Sequence, residues 1–314
     1  MSALAEIRDR IEKTVIRIAE YEKAAARPNS PLSLVANIRA LEKVQASLER
    51  EFENLAHEEE LEICRYKLLP EHGQRPSISA IADAWGSYQD YFSSIYATVA
   101  TRNSTKKKTA RAARQESQFG FGYTFSGSIG VVLTIPAGVD FAKARDLREA
   151  SELMRRMTKI QTPEALAGLA ENAGAPAITK LGEWVQTHLA FGAGASVDWD
   201  IGGPPSPPLL VQVQEFKLLK QAMERATEPI KTETEHTVTG KLEGASMRNR
   251  TFEMTIDSEG EVSGNFLDAI SEAQTAELPQ RYEAVIRTTT SVTPSTGRSR
   301  VSHFLVKLNH KLEV

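Results

Sequence analysis

The feature that most constrains the fold of this chain is a long heptad pattern that begins at Ser30. Ser30 followed by Pro31 is a strong helix start, because serine accepts hydrogen bonds from first-turn amides and proline is tolerated at the first helical position. Leu69 precedes Pro70, and proline disfavours helical backbone in the residue before it. Between these ends apolar residues recur at spacings of three and four, at Leu34, Ile38, Leu41, Leu48, Phe52 and Leu55. The pattern predicts one helix from Ser30 to Leu69 whose apolar stripe needs a partner.

Two neighbouring segments carry the same period and extend this prediction to a helical bundle. Residues 2–26 place Leu4, Ile7, Ile11, Ile18 and Tyr21 on one seam, and the short connection that follows favours an antiparallel hairpin. A third helix is predicted from Ser77 to Ala100. Its seam is the most regular in the chain and consists of Ile78, Ile81, Trp85, Tyr88, Phe92, Ile95 and Val99. We therefore expect a coiled coil or bundle over residues 1–101 that also associates with other copies of the chain.

Composition and charge narrow the class of protein. The chain has 314 residues, of which 41% are hydrophobic and 25% charged, and this is typical of a folded soluble protein of two or three domains. A formal net charge of −3 gives no overall attraction to nucleic acid or anionic membranes. A single cysteine, Cys64, excludes an intramolecular disulfide. Because no run of eighteen apolar residues occurs, we expect a cytoplasmic protein with no membrane contact.

Residues 102–115 interrupt the heptad period with a run of cations and no acid. The cations are Lys106, Lys107, Lys108, Arg111 and Arg114. Such a run can bind phosphates or an acidic protein surface, and it can equally be a solvated linker. The missing aromatic residues favour the linker. Either interpretation makes this stretch a boundary between domains.

Residues 116–231 predict a central α+β module. Residues 119–125 alternate aromatic and small side chains as in a half-buried strand, and residues 128–135 predict a second strand beside it. Residues 197–201 and 209–213 predict another pair of strands, and helical patterns lie between and after the pairs. The glycine-rich stretch does not fit the Walker phosphate-binding motif, since Ser128 occupies the place of the essential lysine. It does not fit the nucleophile-elbow motif either, since Ser126 stands where glycine is required. We expect one antiparallel or mixed sheet with helices on one face.

Residues 232–314 predict a small closed β-barrel of the OB or SH3-like kind. Five short segments alternate apolar and polar residues, and a helix is expected between the third and fourth segments, from Leu267 to Leu278. The expected interior residues are Val238, Leu242, Phe252, Met254, Ile256, Phe266, Val285 or Ile286, Phe304 and Val306. These side chains would fill a small barrel and leave no lumen for a ligand.

Few residues suggest chemistry. Asp198 and Asp200 lie two apart on a predicted strand, so both carboxylates share one face, as a divalent cation would require. No third acid lies near them in sequence, and the solvent face of a strand is the simpler explanation. Cys64, expected on the long helix, and His188 have ordinary structural explanations. The sequence contains no recognisable catalytic constellation and predicts no cofactor.

These observations favour a non-enzymatic, self-associating interaction protein of the adaptor type, whose partners are other copies and an unidentified protein. Two alternatives remain open. The first is a nucleic-acid-binding protein that uses the cations between residues 106 and 114, and the second is an enzyme whose site lies in the central module.

Overall fold

A computed structural model describes residues 2–28, 30–71, 76–103, 110–125, 129–137, 141–201, 207–226, 229–266, 278–294 and 298–311. Within these ranges the chain is a mixed α/β protein with eight helices, a five-stranded sheet and a closed five-stranded barrel. The mixed architecture with N-terminal helices and a small barrel is therefore confirmed. The elements are α1 (Ala3–Ala25), α2 (Leu32–Glu58), β1 (Leu61–Pro70), α3 (Ile78–Asn103), α4 (Ala110–Glu116), β2 (Gly120–Phe125), β3 (Ile129–Pro136), α5 (Phe141–Thr158), α6 (Pro163–Ala173), α7 (Ala175–Phe191), β4 (Ala193–Asp200), β5 (Leu209–Val211), α8 (Val213–Arg225), β6 (Ile230–Ser246), β7 (Thr251–Ile256), β8 (Gly260–Phe266), β9 (Gln280–Thr293) and β10 (Arg298–Lys311).

The first two helices form the expected hairpin. The Ser2 hydroxyl accepts a hydrogen bond from the Ala5 amide at 3.3 Å and begins α1. Pro31, rather than Ser30, stands just before α2, and the Ser30 hydroxyl donates to the Ala25 carbonyl across the connection. The two helices pack along a seam that includes Ile7, Ile11, Ile18, Leu48 and Phe52, all of them buried.

The predicted helix from Ser30 to Leu69 is wrong beyond Glu58. Glu60 has a left-handed backbone with φ of 57°, and Leu61–Pro70 is a strand instead. β1 pairs with β3 from Leu61 to Leu68 and with β4 from Ile63 to Pro70. The heptad period ends at Leu55, so the helix loses its apolar seam, whereas the strand buries side chains on both of its faces. Cys64 therefore lies on a central strand and not on the long helix.

The sheet has the order β2-β3-β1-β4-β5, and every neighbouring pair is antiparallel. One face, which includes Cys64 and Tyr66, packs in the main core with α3, α5, α6, α7 and α8. The opposite face packs Ile63, Val132 and Tyr123 against the α1–α2 hairpin. Helices thus lie on both faces of the sheet and not on one, because the hairpin covers the second face.

Helix α3 belongs to the core of its own chain. Tyr88, Phe92, Ile95 and Val99 of the predicted seam are fully buried among residues of α4, α5 and α7, and Ile81 and Trp85 pack against the same cluster. Only Ile78, which is 87% exposed, points away from it. The seam of α3 is therefore covered within one chain and offers little surface to a second copy.

The boundaries of the sequence-based domains divide this core. β1 and α3, which the sequence assigns to residues 1–101, form one cluster with the central sheet and its helices. The part of the front end outside that cluster is the α1–α2 hairpin. The barrel also touches the core, because the Ala175 amide donates to the Thr232 hydroxyl at 2.7 Å and Val292 is buried beside α7.

The barrel closes in the order β10-β8-β7-β6-β9, and its interior is filled by side chains. Leu305 and Leu308 occupy the interior in place of the expected Phe304 and Val306. Leu305 pairs with the inward-facing Ile286, and a bulge between Leu305 and Lys307 makes Leu308 the next interior residue of β10. Ile286 points inward and its neighbour Val285 does not. The helix expected between β8 and β9 falls on residues 267–277, which lie outside the described ranges.

Candidate functional site

Asp198 and Asp200 share one face of β4, as predicted, and that face meets α2. Arg65 on β1 lies between Asp198, at 3.4 Å, and Glu53 of α2, at 2.5 Å. One turn further along α2, His57 Nε2 lies 3.2 Å from the Asp200 carboxylate. These five side chains, called here the hairpin clamp, join the α1–α2 hairpin to the sheet.

The hairpin clamp explains both aspartates without a metal. Burial alone disfavours the charged guanidinium of Arg65, but the Glu53 hydrogen bond and the charges of Glu53 and Asp198 outweigh it and raise the pKa of Arg65. No group of three or more His, Cys, Asp or Glu side chains that could hold a metal ion occurs in the described part of the chain. The sequence did not indicate Arg65 as the partner of the two aspartates, because the helical pattern assigned Arg65 to the long helix. The alternation of side chains from Leu61 to Leu69 was the available signal for a strand at this position.

A chain of hydrogen bonds runs through the main core. His188 Nδ1 lies 2.8 Å from the Ala193 carbonyl, which only accepts, so Nδ1 donates and Nε2 is the acceptor. The Tyr66 hydroxyl donates to Nε2 at 2.6 Å and accepts from the Trp184 indole at 2.9 Å. Cys64 Sγ lies 3.3 Å from the Tyr88 hydroxyl beside this chain. All of these side chains are fully buried.

Burial keeps His188 and Cys64, the reactive groups in and beside this series of hydrogen bonds, neutral. Desolvation, only partly opposed by the bond to Ala193, lowers the pKa of His188 from 6.5 to about 4. Desolvation likewise raises the pKa of the Cys64 thiol from 9.0 to about 12. A buried thiol with a raised pKa is a poor nucleophile, and no solvent reaches either group. The network therefore specifies how the core packs, and it is not an active site.

A shallow groove of about 740 Å³ runs between α3 and α7. Its floor carries small residues, among them Ala80, Gly86 and Ala190; a Cβ added at Gly86 would meet no heavy atom within 4 Å. Its walls carry hydroxyl groups and carboxylates. The lining residues are Ser77, Ala80, Ala82, Asp83, Gly86, Ser87, Asp90, Glu183, Gln186, Thr187, Ala190 and Phe191. We call this feature the α3–α7 groove.

One cation sits on the wall of the groove. Lys180 Nζ lies 3.2 Å from Asp90 and 2.7 Å from Glu183. Partial burial alone would lower the pKa of Lys180, but the hydrogen bonds and charges of Glu183 and Asp90 outweigh it and raise that pKa. Asp83 also lines the groove, so its three carboxylates and the Lys180 ammonium group together carry a formal charge of −2.

The α1–α2 hairpin exposes large aliphatic side chains beyond the part that packs on the sheet. Its contribution to the sheet-facing cluster comes from residues 4–15 and 48–56. Between these two segments Ile16 is 57% exposed, Val35 44% and Val44 48%. Leu34, Ile38 and Leu41 of the predicted seam are only half-buried. This part of the hairpin is called here the distal hairpin, residues 16–44.

The predicted basic run is described only in part. Arg111 and Arg114 lie on α4 and are exposed, and Arg111 donates to the Ser258 carbonyl at 3.2 Å. Lys106, Lys107 and Lys108 lie outside the described residues. α4 packs on α3, and Gln89 of α3 donates to the Ser117 carbonyl just after α4.

Comparison of the chain with protein-family models, with curated proteins and with solved structures found no match in any of the three. Of the helices in the described ranges, none combines the length and the apolar character that crossing a bilayer requires. The geometry of the chain itself is therefore the basis for a functional proposal.

Proposed function

We propose that this chain is a non-enzymatic, cytoplasmic assembly protein that associates with copies of itself through the distal hairpin and presents its sheet and barrel to a protein partner. The observation that carries the proposal is the exposure of Ile16, Val35 and Val44 beside a half-buried seam. Two helices alone leave one side of their apolar stripe in water, and a second hairpin that completes a four-helix bundle removes it.

The interior of the chain supports the non-enzymatic part of the proposal. Cys64 and His188, the most reactive side chain types in the core, are inaccessible to a substrate. Asp198 and Asp200 are engaged by Arg65 and His57 in the hairpin clamp. The described strands of the barrel fill its interior with apolar side chains. These features stabilise structure, and they do not form a site that chemistry could use.

The test is the mass of the full-length protein in solution, by light scattering and sedimentation at micromolar concentration. Val35 and Val44 are nine residues apart, and at about 100° per residue they lie on opposite flanks of α2. A two-fold dimer is therefore expected to cover one flank more than the other. We expect at least one of the two variants, Val35→Lys and Val44→Lys, to have the mass of a monomer. The reason is that an apolar interface cannot accommodate a buried lysine.

The control variant is Val301→Lys, which changes a valine of similar exposure, 53%, on the barrel. Lysine favours helix at least as well as valine, so neither hairpin variant is expected to lower the melting temperature. A wild-type protein that is a monomer, or a wild-type oligomer that neither hairpin variant affects, would refute the proposed surface.

A further inference from the structure

The α3–α7 groove has the shape and charge of a binding site for an extended, lysine-rich segment. Its volume falls within the range of about 300–1,000 Å³ that is usual for binding pockets. Small floor residues give no deep pocket for an aromatic anchor, but they let aliphatic stems of lysine lie flat while the ammonium groups reach the walls. Asp83, Asp90 and Glu183 supply those walls with acceptors.

The same chain carries a segment with the complementary composition. Residues 104–109, which connect α3 to α4, read Ser-Thr-Lys-Lys-Lys-Thr, with three cations, no acid and no apolar residue. A segment without large apolar side chains matches a groove without large apolar pockets. The charges match as well, because the groove has a formal charge of −2 after Lys180 is counted.

Chain geometry prevents the segment from occupying the whole groove of its own chain. Asp83 lies twenty residues before Asn103 on α3, which corresponds to about 30 Å along the helix. Lys108 is five residues beyond Asn103, and five residues span at most about 18 Å. The lysines of one chain therefore do not extend along their own groove as far as Asp83.

We infer that the α3–α7 groove of one copy binds the lysines at 106–108 of a second copy. The contact is reciprocal, as a two-fold axis requires, since each copy has both the groove and the segment. It rests on the proposed function, because it names a second self-association contact in addition to the distal hairpin. The groove and the hairpin lie on opposite sides of the sheet, so the two contacts are separate.

The experiment measures binding of a labelled peptide with the sequence of residues 101–117 to the full-length protein by fluorescence anisotropy. The protein carries Lys106→Ser, Lys107→Ser and Lys108→Ser, so that its own segment does not compete. We expect binding that weakens steeply as salt rises, because exposed ion pairs are screened. The Asp83→Asn, Asp90→Asn, Glu183→Gln variant should bind the peptide about tenfold more weakly or worse.

A matched control removes three exposed carboxylates that lie outside both the groove and the distal hairpin, by Glu152→Gln, Glu253→Gln and Glu261→Gln. Both triple variants raise the formal net charge by three, so they separate the groove from the overall charge. A second peptide with the three lysines replaced by serine should not bind. Melting curves of both proteins establish that they fold.

Three outcomes would overturn the inference. The first is that the peptide does not bind at low salt. The second is that the groove variant and the control variant lose peptide binding equally, and the third is that the groove variant binds the peptide as well as the parent protein does. If the peptide fails but wild-type protein binds single- or double-stranded nucleic acid and the three-serine protein does not, the basic run is a nucleic-acid contact instead. Failure of the hairpin proposal is recognised separately, from the masses of the Val35→Lys and Val44→Lys variants at high salt, where the groove contact is screened.

Discussion

Replacing Tyr66 by Phe removes one hydroxyl from the main core and leaves two buried polar groups without their partner. The Trp184 indole loses its acceptor and His188 Nε2 loses its donor, while the ring of residue 66 stays in place. An unsatisfied buried polar group costs about 1–3 kcal/mol. We therefore expect Tyr66→Phe to lower the free energy of unfolding by about 2–6 kcal/mol.

The matched control is Tyr91→Phe, which removes a hydroxyl from an equally buried tyrosine in the same core. The Tyr91 hydroxyl donates to the Met154 carbonyl at 3.4 Å, and that carbonyl also accepts from the Thr158 hydroxyl at 2.8 Å. No group is left unpaired in this variant. Its expected cost is about 0.5–1 kcal/mol, the net value of one ordinary hydrogen bond.

Urea denaturation of the two full-length variants, followed by far-ultraviolet circular dichroism, measures both losses. A double-mutant cycle with His188→Phe adds a second readout, because the Tyr66 and His188 substitutions break the same hydrogen bond. We expect a coupling energy of about 1–2 kcal/mol between them. Equal losses for Tyr66→Phe and Tyr91→Phe would refute the reasoning, since they would mean that the unpaired groups cost nothing.

Three further predictions follow from the geometry. Burial lowers the pKa of His188 from 6.5 to about 4, so between these pH values the unfolded chain binds one proton more than the folded chain does. The contribution of His188 to the free energy of unfolding should therefore be complete above pH 6.5 and decrease by up to about 3 kcal/mol towards pH 4. Urea denaturation at a series of pH values should show this loss in the wild-type protein and not in His188→Phe. Arg65→Gln leaves the carboxylates of Glu53 and Asp198 without their shared cation in the half-buried hairpin clamp, and it should lower the free energy of unfolding in urea by about 1–2 kcal/mol. The control Arg10→Gln removes an exposed pair with Glu51, 3.9 Å apart, and should cost less than about 0.5 kcal/mol. A fragment of residues 229–314 should melt cooperatively as an isolated barrel, and an unfolded fragment would mean that the contact of Thr232 with the main core is required.

The parts of the fold that were predictable from sequence are those whose partners lie close along the chain. The α1–α2 hairpin and the barrel strands β6 to β8 have neighbours within a few residues, so local periodicity and turns indicate them. β1 was missed because its partners lie far away, at residues 129–136 and 193–200, and its short alternation directly follows a long helical pattern. The seam of α3 was recognised, but its partners within the chain were equally distant.

The candidate sites show the same limit. Strand alternation correctly placed Asp198 and Asp200 on one face, but their partners Arg65 and His57 come from elements more than a hundred residues earlier. Sequence composition identified the basic run. The α3–α7 groove, in contrast, exists only once two helices separated by more than seventy residues pack together.

The central place of β1 in the sheet also affects how the protein folds during synthesis. β1 is complete at Pro70, but the strand on its second side, β4, ends at Asp200, about 130 residues later. At about 5–20 residues per second, this corresponds to a delay of roughly 6–26 s. Until β3 is complete at Pro136, this apolar strand has no partner on either edge, and one edge stays open until β4 is made. Unpaired edges promote aggregation. The α1–α2 hairpin is already synthesised by then and forms from local contacts, so it can cover the Ile63 face of β1 first. In this respect the hairpin protects the nascent chain before it takes part in any assembly.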